Sequence, residues 1–172
     1  MKKSSPAKWI ILAVALAINA FIIVNACING TLSAQESGRF SHFFAGVVNF
    51  FSPGHVTDAN FDQFASVIRK LAGHFALFGL NGIFTSLSFY LFLRDTKLGK
   101  VLFVGIFSLA TGLVVAAVSE IIQIFTPDRY GTWGDIGIDF AGYFLGFVLV
   151  ICVLLFVGMI KFKKEEDIQE LQ

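Results

Sequence analysis

The chain contains few charged residues and few prolines for its length. Only 15% of its 172 residues are charged and only 3 are proline, whereas 56% are hydrophobic. About a quarter of the residues in an ordinary soluble domain are charged. A soluble protein of this size could not cover so many apolar side chains, and the mean hydropathy is +0.76. The composition therefore excludes an ordinary soluble domain and predicts an integral membrane protein.

The chain also lacks a cysteine framework. Cys27 falls near the end of the first apolar run and Cys152 falls well inside the last one. Two cysteines at such different depths cannot be bridged, so we expect both to be buried apolar thiols.

Several functional motifs are absent as well. The sequence has no nucleophile motif, no phosphate loop, no cysteine-histidine metal spacing and no basic-aromatic patch. A net charge of +1 gives no reason to expect nucleic acid as a partner.

Four apolar runs are long enough to cross a membrane, which takes about 20 helical residues. They cover residues 9–28, 71–93, 101–125 and 136–160. None alternates as barrel strands do, and helices satisfy their own backbone groups in lipid. The sequence therefore predicts an all-α polytopic bundle of about four transmembrane helices. We divide it into an N-terminal anchor with an outer segment (1–64), a three-span membrane domain (65–160) and a charged tail (161–172).

The first run has a second interpretation, as a cleaved signal peptide. Residues 24–27 read Val-Asn-Ala-Cys, which resembles a lipoprotein cleavage box. Asn25 fits such a box poorly and the run is long for a signal, so a retained anchor is favoured.

The basic residues predict the orientation. Nine of the 13 Lys and Arg precede the first span, lie between the second and third, or follow the fourth. An even number of spans places these three groups on one side, and cytoplasmic loops carry the excess of Lys and Arg. Both ends of the chain are therefore predicted to be cytoplasmic.

The segment between the first two spans contains an amphipathic pattern. Its apolar residues recur at helical spacing: Phe40, Phe43, Phe44, Val47, Val48 and Phe51. Such a helix is predicted to lie in the membrane interface, and the alternative is that it packs onto the bundle. After a break at 52–54, Asp58 is expected to cap a second helix that continues into the second span.

Polar residues inside the spans are costly, so each requires a reason. Asn81, Thr85 and Ser88 are expected to make helix–helix hydrogen bonds. Gly142 and Gly146 are expected to face Gly112 and Ala116, because small residues let helices approach closely.

The remaining polar residues are predicted to form a cluster at the outer ends of the spans. They are His74, Glu120, Gln123, Asp135 and Asp139, with Arg129 above the acids and Arg69 and Lys70 at the rim. Taken singly, Asp135 is more typical of a helix cap and His74 of a hydrogen-bonded interior histidine. Together they favour a functional site.

Two groups of these residues resemble the VanZ-like family. Arg69, Lys70 and His74 stand in the run RKLAGHF, and Glu120, Gln123, Arg129, Asp135, Asp139 and Gly142 match the pattern of the family's second half. The likeness covers about residues 65–150. Ser119 stands where an acidic or aromatic residue is common in the family, which weakens the case for a metal site based on an acidic pair at residues 119 and 120. The resemblance implies a bacterial cell-membrane protein linked to resistance to lipoglycopeptides such as teicoplanin.

Three functions remain open. A binding protein would recognise an antibiotic, a lipid-linked cell-wall precursor or a partner at the outer leaflet, through Arg69, Lys70, Gln123 and Arg129. A membrane enzyme acting on a lipid-linked phosphate would use Glu120, Asp135 and Asp139 for acid–base chemistry or for a divalent cation, with His74 as base. An ion pathway fits least, because the inner half of the second span has no ionisable residue. The sequence identifies no cofactor, no metal and no oligomeric state.

Overall fold

The part of the chain that the computed structural model describes is mostly helical and has no strands. This part comprises residues 6–93 and 100–170, without the side chains of Glu36, Lys100, Val101 and residues 158–170. The elements are α1 (Pro6–Ala26), α2 (Gly30–Phe51), α3 (Phe61–Ile68), a π-helical segment (Arg69–Ala76), α4 (Leu77–Phe92), α5 (Lys100–Phe125) and α6 (Trp133–Glu170). The predicted all-α class is confirmed.

Within the described ranges, four helical stretches are long and apolar enough to cross a membrane: Pro6–Ala26, Phe61–Phe92, Leu102–Phe125 and Trp133–Val157. The four predicted spans are confirmed. The second is longer than predicted, because α3 continues through the π-helical segment into α4 without a break. Residues 94–99, which carry part of the basic pattern and were predicted to form a loop, lie outside the described residues.

The start of α3 differs from the prediction. Asn60, and not Asp58, occupies the N-cap position, and its side chain does not cap the helix. The Asn60 amide instead accepts a hydrogen bond from the Thr57 backbone N–H at 2.7 Å and donates one to the His55 carbonyl at 2.9 Å. Asn60 therefore stabilises the turn before α3.

The glycines of α6 pack against the second span. A Cβ on Gly142 would overlap the Phe75 carbonyl, and one on Gly146 would overlap the Gly79 carbonyl. The predicted contact of these glycines with Gly112 and Ala116 is therefore wrong. Asp139, one turn earlier on α6, faces the second span as well, where it pairs with His74.

Helix α5 meets a different face of α6 through one large side chain. Tyr143 is fully buried, and its ring fills the space where Gly112 lacks a Cβ. Its hydroxyl lies 3.1 Å from the Ser108 Oγ, which lies 2.6 Å from the Ser86 Oγ. This hydrogen-bonded group joins three spans in the interior.

A second polar group joins α1 to α4. The Asn19 Nδ2 donates to the Asn81 Oδ1 at 3.0 Å, and the Thr85 hydroxyl donates to the same oxygen at 2.9 Å. The predicted helix–helix hydrogen bond of Asn81 is confirmed, and Ser88 is also buried.

Helix α2 turns its aromatic stripe away from the bundle. The side chains of Phe43 and Phe51 are 65% and 80% exposed, whereas Ser41 and Ala45 on the opposite face are buried. The alternative that the whole stripe packs onto the bundle is therefore wrong, since only Phe44 and Val48 are half-buried.

The two cysteines are unpaired, as expected, but they are exposed rather than buried. Both occupy outward-facing positions. In a bundle that spans a membrane, such positions can contact lipid. An apolar thiol can therefore be shielded from water without being buried inside the protein.

Candidate functional site

Three ionisable side chains meet at the end of the bundle where α1 and α5 end and α6 begins. The His74 Nδ1 lies 2.9 Å from the Asp139 Oδ1 and 4.0 Å from the Glu120 Oε1. The side chains of Glu120 and Asp139 are only 2% and 1% exposed, and that of His74 is 18% exposed. These three residues, called the triad below, come from three different spans.

The π-helical segment positions His74. It covers Arg69–Ala76 and contains the three basic residues of this region, namely Arg69, Lys70 and His74. A π-helix has more residues per turn than an α-helix and is frequent at functional sites. The wider turn changes how these side chains are distributed around the helix axis, and no sequence signal predicted it.

Glu120 also joins two spans. Its Oε1 accepts a hydrogen bond from the Gln123 Nε2 at 3.0 Å, and its Oε2 accepts one from the Thr132 backbone N–H at 3.0 Å. Thr132 immediately precedes α6, where backbone N–H groups have no partner within the helix. Glu120 therefore links the end of α5 to the start of α6.

Asp135 lies beside the triad and not within it. Its Oδ1 forms an ion pair with the Lys70 Nζ at 2.9 Å, and its Oδ2 accepts a hydrogen bond from the Thr132 hydroxyl at 2.9 Å. The Asp135 backbone N–H donates in turn to the Thr132 Oγ1 at 3.1 Å. Thr132 therefore caps the N-terminus of α6, and Asp135, the third residue of that helix, supports the cap instead of being the cap itself.

Arg129 contacts the end of α1 instead of the acids. Its Nε donates to the Ile28 carbonyl and its Nη2 to the Asn25 carbonyl, both at 3.1 Å. No ion pair joins it to an acid among the residues that the structure describes. Arg129 therefore lines the same cleft as Asp139 and Asp135 without pairing with either acid, because backbone carbonyls at the end of α1 accept its hydrogen bonds.

Arg129 nevertheless retains a positive charge that faces the site. Burial lowers the pKa of Arg129, the nearby charge of Arg69 lowers it further, and Glu120 raises it. Two guanidinium groups thus repel each other across the same opening. An anion between them would relieve that repulsion.

A polar cleft opens beside the triad. It has an inner part of about 180 Å³ and an outer part of about 590 Å³, and both are lined by Arg69, His74, Gln123 and Arg129. Asp139 lines the inner part, whereas Lys70 and Asp135 line the outer part. The four residues predicted to bind a ligand therefore lie around one opening.

Sequence reasoning missed the wall that α2 contributes. Ser33 and Ser37 line the inner part of the cleft, and Ser41 is buried on the same face of α2. These serines recur at a spacing of four residues, which marks one polar helix face. The spacing of the serines could have predicted a polar face of α2 turned toward the cleft, but only the aromatic stripe on the other face was considered.

The triad has two chemical capacities. A histidine held by a carboxylate can act as a general base. The same three residues offer ligand atoms that lie within 4.8 Å of one another, a spacing that could hold a metal ion.

Comparison with known proteins bears on the family alone. No curated protein and no solved structure matches the chain. The sequence profile of the VanZ/LLP1 family matches residues 9–157. This match extends beyond the region of resemblance in the sequence and includes all four spans. The chain therefore belongs to the VanZ/LLP1 family.

Proposed function

We propose that this chain is a protein of the bacterial cell membrane that binds the phosphate headgroup of a lipid-linked cell-wall precursor at the outer leaflet. By this binding it contributes to resistance to teicoplanin-type antibiotics. The observation that carries the proposal is the cleft flanked by Arg69 and Arg129. Arginine donates charge-assisted hydrogen bonds to phosphate, and among the described residues neither guanidinium forms an ion pair with an acid.

The surroundings of the cleft suit a ligand that is anchored in lipid. The cleft lies at one end of the bundle and has the volume of a small-molecule site. Helix α2 forms part of its wall with serines and presents exposed phenylalanines on its other face. A helix of this kind lies in the membrane interface, where the headgroup of a lipid-linked diphosphate is found.

We expect Arg69→Gln to weaken the binding of a polyprenyl diphosphate by about 10- to 100-fold. Hydrogen bonds to charged groups contribute about 1.5–3 kcal/mol, and each 1.4 kcal/mol corresponds to about tenfold in affinity. Binding is measured with the purified protein in lipid nanodiscs, with unphosphorylated polyprenol as the reference ligand.

Arg39→Gln is the matched control, because Arg39 is exposed on α2 and lines neither part of the cleft. It removes the same charge and should leave the affinity unchanged. Equal effects of the two substitutions, or equal binding of the polyprenol, would contradict the proposal. Binding of teicoplanin in place of the lipid would make the antibiotic itself the ligand.

The orientation is tested by cysteine labelling in intact cells. In a variant without Cys27 and Cys152, a membrane-impermeant thiol reagent should label Thr132→Cys and leave Thr96→Cys unlabelled. Thr132 lies at the end of the bundle that carries the cleft, and Thr96 belongs to a loop outside the described residues that is predicted to be cytoplasmic. The reverse pattern would place the cleft in the cytoplasm and refute binding at the outer leaflet.

The second candidate function is that of a membrane enzyme acting on a lipid-linked phosphate. The observation that favours it is the buried His74–Asp139 pair, since a carboxylate that orients a histidine supports general-base chemistry. Glu120 lies next to the pair, 4.0 Å from the imidazole. Release of inorganic phosphate from the bound polyprenyl diphosphate would identify the enzyme, and binding without turnover would favour recognition alone.

A further inference from the structure

We propose that His74, Glu120 and Asp139 bind a zinc ion at the inner end of the cleft. The triad supplies one imidazole nitrogen and two carboxylate groups from three spans, and its ligand atoms lie within 4.8 Å of one another. Zinc sites that interact with a ligand have three protein donors and an open fourth position.

The distances suit zinc after small side-chain rotations. Bonds of about 2.0–2.2 Å in a tetrahedron separate the donor atoms by about 3.3–3.6 Å. The His74 Nδ1 lies 2.9 Å from the Asp139 Oδ1 and 4.0 Å from the Glu120 Oε1, so one distance must lengthen slightly and the other must shorten. Carboxylate and imidazole side chains accommodate such changes without movement of the helices.

The charges of the triad also favour a bound cation. Glu120 and Asp139 are two buried carboxylates, and among the described residues His74 is the only basic group within ion-pair distance of either. Lys70, the nearest lysine, pairs with Asp135 instead. Buried charges are costly unless they are paired or coordinate metals, and a divalent cation would balance both carboxylates.

One buried oxygen supports the site independently. The Asp139 Oδ2 has no hydrogen-bond partner among the described atoms, although its side chain is only 1% exposed. Buried polar atoms are almost always satisfied, and an exception calls for an explanation, of which a bound ion is one. Asp139 lines the cleft, and its carboxylate therefore keeps one unpartnered oxygen for a bound ion.

The donor set favours zinc over calcium or magnesium. Calcium is held by six to eight oxygen ligands, and magnesium prefers octahedral oxygen coordination with several waters. An imidazole donor suits zinc and other transition metals. A zinc ion here would face Arg69 and Arg129 across the cleft, with its open position toward the same ligand space.

Zinc binding is measured on the full-length protein in nanodiscs, after removal of metal with a chelator and reloading with Zn²⁺. We expect one tightly bound zinc per chain, and a Co²⁺-loaded sample should show the visible absorption of a tetrahedral site. His74→Ala, Glu120→Gln and Asp139→Asn should each weaken zinc binding by more than about 100-fold, because the loss of supporting groups alone costs about 10- to 100-fold.

Two controls separate the triad from other zinc-binding groups. Asp135→Asn changes the neighbouring acid that pairs with Lys70 and should retain the zinc. The double variant His42→Gln/His55→Gln removes the other two histidines of the chain and should retain it too. Thermal unfolding of the metal-free variants checks that each is folded. If His74→Ala does not fold, His74→Gln takes its place.

Three results would overturn the inference: no zinc on the wild-type chain, zinc retained without His74, or binding of Ca²⁺ and Mg²⁺ in preference to Zn²⁺. The inference does not rest on the proposed lipid ligand, since zinc is measured without any lipid diphosphate. A chain that binds zinc and no lipid diphosphate would refute the proposed function alone.

Discussion

Gly142→Leu is expected to prevent the second and fourth spans from packing, and so to remove most of the folded protein. Even a Cβ at this position overlaps the Phe75 carbonyl, which belongs to the backbone and cannot rotate away. Overpacking of a well-packed interior costs about 1–3 kcal/mol or more, and Gly142 lies only one turn from Asp139. The folded fraction is measured by size-exclusion chromatography and thermal unfolding in detergent.

Gly137→Leu is the control on the same helix. A Cβ on Gly137 meets nothing within 4 Å, and replacement of a helical glycine removes a propensity cost of about 1 kcal/mol. This variant should therefore be at least as stable as the wild type. Equal tolerance at Gly142 and Gly137 would mean that α6 does not pack against the second span through its glycines.

Much of the fold follows from hydrophobicity, which is a property of each run of sequence. Four apolar runs predicted four spans, and the stripe from Phe40 to Phe51 predicted an amphipathic helix. Which helix packs against a given face depends on how every span is rotated about its axis. The hydrophobic pattern of one span does not specify that rotation. For this reason the partners of Gly142 and Gly146 were predicted wrongly, although their role in close packing was recognised.

The candidate site was predicted in composition but not in arrangement. The cost of ionisable groups in lipid singled out His74, Glu120 and Asp139, and the structure brings these three into contact distance of one another. The π-helical turn that carries His74 could not be predicted, because its hydrogen bonding depends on tertiary packing. The contact of Arg129 with the end of α1 depends on backbone carbonyls, which a side-chain pattern does not reveal.

Asp139→Asn is expected to abolish the proposed function while the chain stays in the membrane. Asparagine has nearly the same shape, so the packing of α6 should persist, but the charge that holds the His74 imidazole is lost. Glu120→Gln should act in the same way. The new amide at position 120 can donate to Gln123, whose own amide can turn so that its oxygen accepts. The remaining amide oxygen at position 120 can then still accept from the Thr132 N–H at the start of α6. If these acids were only structural, removal of one of two adjacent negative charges would be neutral or mildly stabilising.

If the polar cluster is a functional site and not only a packing feature, resistance should depend on its acids. The most direct measurement is the teicoplanin susceptibility of cells producing the wild-type chain, Asp139→Asn or Glu120→Gln, with the membrane abundance of each determined in the same cells. We expect the wild type to protect the cells and both variants to lose protection at unchanged abundance. Normal protection by both variants, or none by the wild type, would contradict it.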